Sequence, residues 1–164
     1  MTMPRVERPD APKAYGYSIK PAGMLPWERV ASAIAAAHIY WIGTVLPDGG
    51  PHQHPIWGGF VGTTLYFEGG PTTRWGRNLG DRPVASFGVE SEGLHVSGRG
   101  PVSKGAAGDD FKALQANYAG KYQAFGYSPS NDDFYRLNAE VIIAIDASSM
   151  EAFASSPTRF RFSR

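Results

Sequence analysis

Residues 39–60 read IYWIGTVLPDGGPHQHPIWGGF, and the fold is decided there. Ile39 to Leu46 is rich in β-branched and aromatic residues, which suit a pleated, half-buried surface. Pro47-Asp48-Gly49-Gly50 follows, combining a fixed φ with residues that tolerate positive φ. Pro51 to Phe60 then returns as a second extended run. The pattern predicts a hairpin with strands over 39–46 and 51–60.

Upstream of the hairpin, Trp27, Val30, Ala31, Ile34 and Ala37 recur at steps of three and four. That spacing is one face of an amphipathic helix beginning at Pro26, where a missing N–H costs nothing. Downstream, Gly62-Thr63 turns the chain into a third strand, Thr64 to Glu68. A loop over 69–73 leads into a short helix from Arg74 to Leu79, capped by Thr72 or Thr73. Pro83 to Glu90 and Leu94 to Ser103 read as the fourth and fifth strands around a turn at Ser91-Glu92-Gly93. Phe111, Leu114, Tyr118 and Tyr122 mark a helix within 109–125, and Val141 to Ile145 forms the sixth strand. Thr158 to Phe162 alternates Phe160 and Phe162 and reads as an edge strand. A small antiparallel sheet of this kind is best stabilised by closing into a barrel, which removes its edges. The fold class is therefore mainly β with flanking helices. Residues 1–23 form an extended N-terminal arm, and 24–164 a single domain.

The 164 residues fit one domain of roughly 100–200 residues. The 20 Gly and 13 Pro favour short strands and turns over a helical bundle. Sixteen Lys and Arg against fifteen Asp and Glu leave +1, without the concentrated basic field that nucleic acid or a membrane surface requires. Neither is an expected partner. Cysteine is absent, which excludes disulfides, iron–sulfur clusters, zinc-thiolate sites and thiol nucleophiles. The opening MTMPRVERPD has no apolar core of a secretory signal. The longest apolar stretch, Val30 to Leu46, is interrupted by Ser32, His38, Gly43 and Thr44 and is too short to span a bilayer. A cytoplasmic protein is expected.

Chemistry concentrates in two places. Gly69-Gly70-Pro71-Thr72-Thr73-Arg74-Trp75-Gly76-Arg77-Asn78-Leu79 brings hydroxyls and two guanidinium groups to a helix start. Arg74 and Arg77, three apart, share one helical side. Such a group suits a phosphate or carboxylate, and equally describes a solvated surface loop. There is no Walker A sequence and no G-x-G-x-x-G, and no G-x-S-x-G elbow supports a hydrolase triad. His52 and His54 share one face of the second strand, which could offer two metal ligands. With no further ligand in view, no metal is expected. Trp57 precedes Gly58-Gly59, where missing side chains would let a flat ligand lie close to the backbone.

Taken in order, Tyr40-Trp41-Ile42-Gly43-Thr44-Val45, Pro47-Asp48-Gly49-Gly50-Pro51-His52, Pro55-Ile56-Trp57, Tyr66-Phe67, Arg74 to Leu79 and Pro83-Val84 resemble the pyridoxamine 5'-phosphate oxidase-like flavin-binding split barrels, closest to their flavin/deazaflavin oxidoreductase branch. The resemblance covers residues 27 to about 103. It implies a six-stranded antiparallel split barrel of Greek-key type that forms a homodimer with cofactor sites at the interface. It places His54, Pro55, Ile56 and Trp57 along the flavin ring. Thr72, Thr73, Arg74 and Arg77 fall around the cofactor phosphate, with Asn78 in support. The implied cofactor is FMN, with deazaflavin coenzyme F-420 as the alternative and heme as a third candidate. The implied activity is hydride transfer to or from a small organic substrate. A non-catalytic flavin or heme carrier and a pyridoxamine 5'-phosphate oxidase-type activity are the rival readings. No catalytic residue is assigned; His54 and Tyr122 are candidates for proton delivery.

Overall fold

The computed structural model describes residues 3–129 and 133–163. In chain order the elements are β1 (Arg5–Glu7), α1 (Trp27–Ala36), β2 (Tyr40–Val45), β3 (Pro51–Ile56), β4 (Gly59–Val61), β5 (Thr64–Phe67), α2 (Arg74–Asp81), β6 (Val84–Ser91), β7 (Leu94–Gly105), α3 (Phe111–Tyr122), β8 (Phe134–Asn138), β9 (Val141–Asp146), α4 (Met150–Ser155) and β10 (Thr158–Arg161). All strand pairs are antiparallel.

The predicted second strand is two strands. It breaks at Trp57-Gly58, so that β3 pairs with β2 while β4 pairs with β5. Pairing then runs from β3 through β2, β6, β7, β8 and β5 to β4. Since β3 and β4 are halves of one bent segment, the path is a six-stranded split barrel. The split arises at β7. Its first half, Leu94 to Arg99, pairs with β9, and its second half, Val102 to Gly105, pairs with β8. The sixth barrel strand is thus β8, not the 141–145 run. β9, β10 and β1 extend the sheet outward from the first half of β7. Thr158–Arg161 is not an edge, because Arg5–Glu7 of the arm pairs along its outer side.

Pro51 and Pro55 sit at alternate positions of β3, opposite Val45 and Trp41. Proline cannot donate to a ladder, so the bonds to β2 run through His52, His54 and Ile56, and the prolines fall on the open side. α1 closes the barrel with Trp27, Val30, Ala33 and Ile34 buried. They meet Tyr40, Ile42, Phe87, Val96, Ile142 and Phe160 in one core. Each such large apolar side chain contributes roughly 1.5–3 kcal/mol on full burial. A second cluster, Tyr66, Leu114, Tyr118, Tyr122 and Phe134, fastens α3 to the outside of β4 and β5. Among the described residues no helix is long and apolar enough to cross a membrane.

Candidate cofactor-binding site

α2 packs on β2 and β3 and carries the predicted anion-binding segment. Thr73 is its N-cap: the Oγ1 accepts from Gly76 N at 3.0 Å and donates to Gly70 O at 2.8 Å. That hydroxyl is consequently committed to the helix start. Gly76 allows the closeness, since a Cβ there would stand 2.5 Å from Gly70 O. Arg77 donates from a guanidinium nitrogen to Thr72 O at 2.5 Å, bracing the loop. Arg74 and Arg77 are both exposed, and among the described residues neither forms an ion pair with a carboxylate. Asn78 faces inward. It is 1% exposed and donates to Thr44 Oγ1 at 3.0 Å, while its Oδ1 has no hydrogen-bond partner among the described residues. Thr44 in turn lies 3.5 Å from His52 Nδ1, and the His52 and His54 rings are stacked 6.4 Å apart. A polar line therefore runs from α2 beneath β2 to the exposed His54.

Four of the predicted site residues line two separate clefts, while Pro55, Thr72, Thr73, Arg74 and Asn78 line neither of them. His54, Ile56 and Trp57 line a cavity of about 290 Å³ together with Glu68 and Trp75. Arg77 lines a separate cleft of about 600 Å³ with Lys104 and Tyr135. Between them stands Trp75, buried edge-on against Phe67 at 5.6 Å and Tyr135 at 5.1 Å. Residues 75 and 77 are two apart, so a helix points them to opposite sides. Pro55 is exposed on the open edge of β3. Among the described residues no group of three His, Cys, Asp or Glu is arranged to hold a metal.

The flat groups against Gly58-Gly59 prove to be rings of this same chain. Trp57 stacks on Tyr122, centroids 4.7 Å apart and planes at 9°. A Cβ on Gly59 would lie 2.9 Å from the Tyr118 ring and 2.4 Å from Leu114. Tyr122 is buried and its hydroxyl is engaged with His38 O, Gly58 O and Gly58 N. It is a strut for the strand break, so it is not placed to deliver a proton to a surface ligand. Beside it lies a residue the sequence did not flag. Lys121, 8% exposed, donates to Gly58 O at 2.7 Å and Tyr40 Oη at 3.1 Å. Burial pushes its amine down to about 7. Helical spacing with 114 and 118 turns it inward, but which groups enclose it there depends on distant parts of the chain.

Comparison with known families decides the relationship. The profile described as pyridoxamine 5'-phosphate oxidase matches residues 26–146. The chain belongs to this family. The family's split barrel recurs in solved structures at low identity. A heme binding protein from Mycobacterium smegmatis is 19% identical with a TM-score of 0.59, over 85% of this chain and 63% of that one. This chain therefore spans less than two thirds of that protein's length. A pyridoxamine 5'-phosphate oxidase-related, FMN binding protein from Nostoc punctiforme PCC 73102 is 16% identical with a TM-score of 0.54, over 77% and 87%. An F-420 reductase is 18% identical with a TM-score of 0.52, over 68% and 93%. No curated protein matches the sequence.

Proposed function

We propose that the protein is an oxidoreductase that binds FMN, or the deazaflavin coenzyme F-420, and passes hydride to or from a small organic substrate. The observation that carries this reading is the pair of exposed guanidinium groups on α2, without carboxylate partners among the described residues, in a chain of this family. Two Arg side chains, of which Arg77 also donates to Thr72 O, and the Thr72 hydroxyl fit a phosphate group, since charge-assisted hydrogen bonds are the strong ones. Thr73 shapes that loop as its cap, and Asn78 holds α2 to β2 from below. The open edge of β3 offers backbone groups of residues 53–57 to a ring system. When bound, the flavin or deazaflavin supplies the hydride chemistry; the protein contributes binding, orientation and electrostatics.

A homodimer belongs to the same proposal. The outer face of β2, β6, β7 and β9 carries Trp41, 47% exposed, in line with Gly88, Ser97 and Ile143. It forms part of a cleft of about 810 Å³. A second copy on that face would cover the apolar surface and bring two β3 edges near one interface.

The test compares FMN with riboflavin, which has the same ring without the phosphate. Arg74→Ala should weaken FMN roughly tenfold to a hundredfold, at about 1.5–3 kcal/mol per charge-assisted bond, and leave riboflavin unaffected. Fluorescence quenching reads both titrations. Equal weakening of both ligands would remove Arg74 from the phosphate. Absence of FMN binding moves the comparison to F-420 and its phosphate-free analogue, and failure there sinks the reading. A heme carrier is the second reading, favoured by the exposed His54 stacked beside His52. A Soret band in the purified protein, abolished by His54→Ala, would select it.

A further inference from the structure

The outer face of the sheet carries opposite charges on its two flanks. Its middle row runs Trp41, Gly88, Ser97 and Ile143 across β2, β6, β7 and β9. One row away on one side stand Glu90, His95 and Ile145; one row away on the other stand Gly43, Ser86, Arg99 and Val141. Glu90 shares the 810 Å³ cleft with Trp41, while Arg99 lines a second cleft of about 540 Å³ with Gly43 and Ser86. Both charged side chains are exposed. Among the described residues neither forms an ion pair, and Arg99 forms none with Glu140 in the lining of its own cleft. Their backbone positions are about 14 Å apart, at roughly 3.4 Å per residue along a strand and 4.8 Å between strands, too far to pair across the middle row. Farther out on the same face charge is matched within the chain, where Glu7 holds Arg159 and Arg161. Glu90 and Arg99 are left unmatched on opposite sides of the middle row.

A two-fold axis lying along that row exchanges the two flanking rows. It sets Arg99 of one copy against Glu90 of the partner subunit, and by symmetry the reverse. We propose that this face binds a second copy of the chain about that axis, closed by reciprocal Arg99–Glu90 ion pairs across the interface. This rests on the homodimer reading and adds its register. Trp41 of each copy then meets the low floor that Gly43, Ser86, Gly88 and Ser97 leave on the other. The axis crosses the strands, so strand order is kept across the interface and the open β3 edge of one copy lies beside that of the other. A different protein would need the matching charges and the matching relief together; a second copy presents both by symmetry.

Sedimentation velocity on the purified protein reads the dimer constant. It is run at pH 8, above the ordinary range of histidine titration, because His95 stands in the same row as Glu90. Arg99→Glu and Glu90→Arg each place like charges together, and the axis repeats that contact. Each variant alone should weaken the dimer about a hundredfold or more. An equimolar mixture of the two variants should form a heterodimer within about tenfold of the natural affinity, since both contacts then join opposite charges. A variant that had merely misfolded would not be rescued by mixing, so the recovery also reports the fold. A natural dimer indifferent to either substitution, or variants that stay apart when mixed, would overturn this register while leaving the homodimer reading in place. A natural sequence that remains at 17.7 kDa through the micromolar range would overturn both.

Discussion

At residue 121 an amine is enclosed by a peptide carbonyl and two phenol rings, with the Tyr40 ring centroid 5.0 Å away and that of Tyr122 at 5.3 Å. Two donated bonds satisfy both N–H groups of a neutral amine, in keeping with its lowered pKa of about 7. In the unfolded chain the same amine titrates near 10.4. Between those values the unfolded state binds more protons than the folded one, so stability rises with pH through that window. From pH 7 to 9 the gain should approach about 2 kcal/mol, at 1.36 kcal/mol per unit. Lys121→Met, which removes the titration, should flatten that rise. Urea melts of both proteins at pH 7 and pH 9 check it, and parallel pH dependence would absolve Lys121. The residue scale also shows where sequence reading stops. Arg74 and Arg77 were legible because charge beside a glycine-rich turn is a local pattern. Lys121 was not, because its significance depends on which rings fold over it from far along the chain. The rings that pack on Trp57-Gly58-Gly59 from within the chain belong to α3, more than fifty residues on, so they have no local signal.

Among the elements, α2 was the most readable. Its start at Arg74 and a threonine cap at 72 or 73 are legible in the sequence; that Thr73 is the cap, and that Trp75 and Leu79 are buried, come from the structure. Thr73→Ala should remove about 1 kcal/mol, the usual worth of such a cap. For a chain of this size that lowers Tm by roughly 2–4 °C, readable by differential scanning calorimetry. An unchanged Tm would mean that the loop finds another cap. β2, β6 and β9 were equally plain, being short runs bounded by turns. β8 escaped notice. Its five residues, with Arg136 in the middle, show little alternation, and both its partners are distant: Thr64–Phe67 and Val102–Gly105. The break between β3 and β4 was hidden for a related reason. The Gly58-Gly59 pair is the one local mark of the break, and glycine in a strand can equally stay extended; the bend exists because the two halves pair with different strands.

For the whole molecule, the arm is tied to the body by the β1–β10 ladder, by Glu7 between Arg159 and Arg161, and by one well-placed guanidinium. Arg8 donates to Lys20 O, Ala22 O and Pro157 O, so one guanidinium fastens both ends of the arm's return path. The barrel class was legible from strand count and turn chemistry, whereas the docked arm was not, since its three-residue strand has no signature apart from its partner. The proposed dimer is a property of this scale too. Trp41→Glu places a charge at the middle of the outer sheet face, where desolvating it against a second copy would be costly. Light scattering should then give twice 17.7 kDa for the natural sequence and 17.7 kDa for the variant. A dimer that survives the substitution would put the interface elsewhere. The two prolines of β3 bear on a different kind of association. An unpaired strand edge is a template on which further chains can add, the first step toward fibrils. Pro51 and Pro55 leave gaps in the outward row of N–H donors, so an incoming extended chain finds a broken ladder. The same edge left open for a small ligand is thereby a poor seed for aggregation.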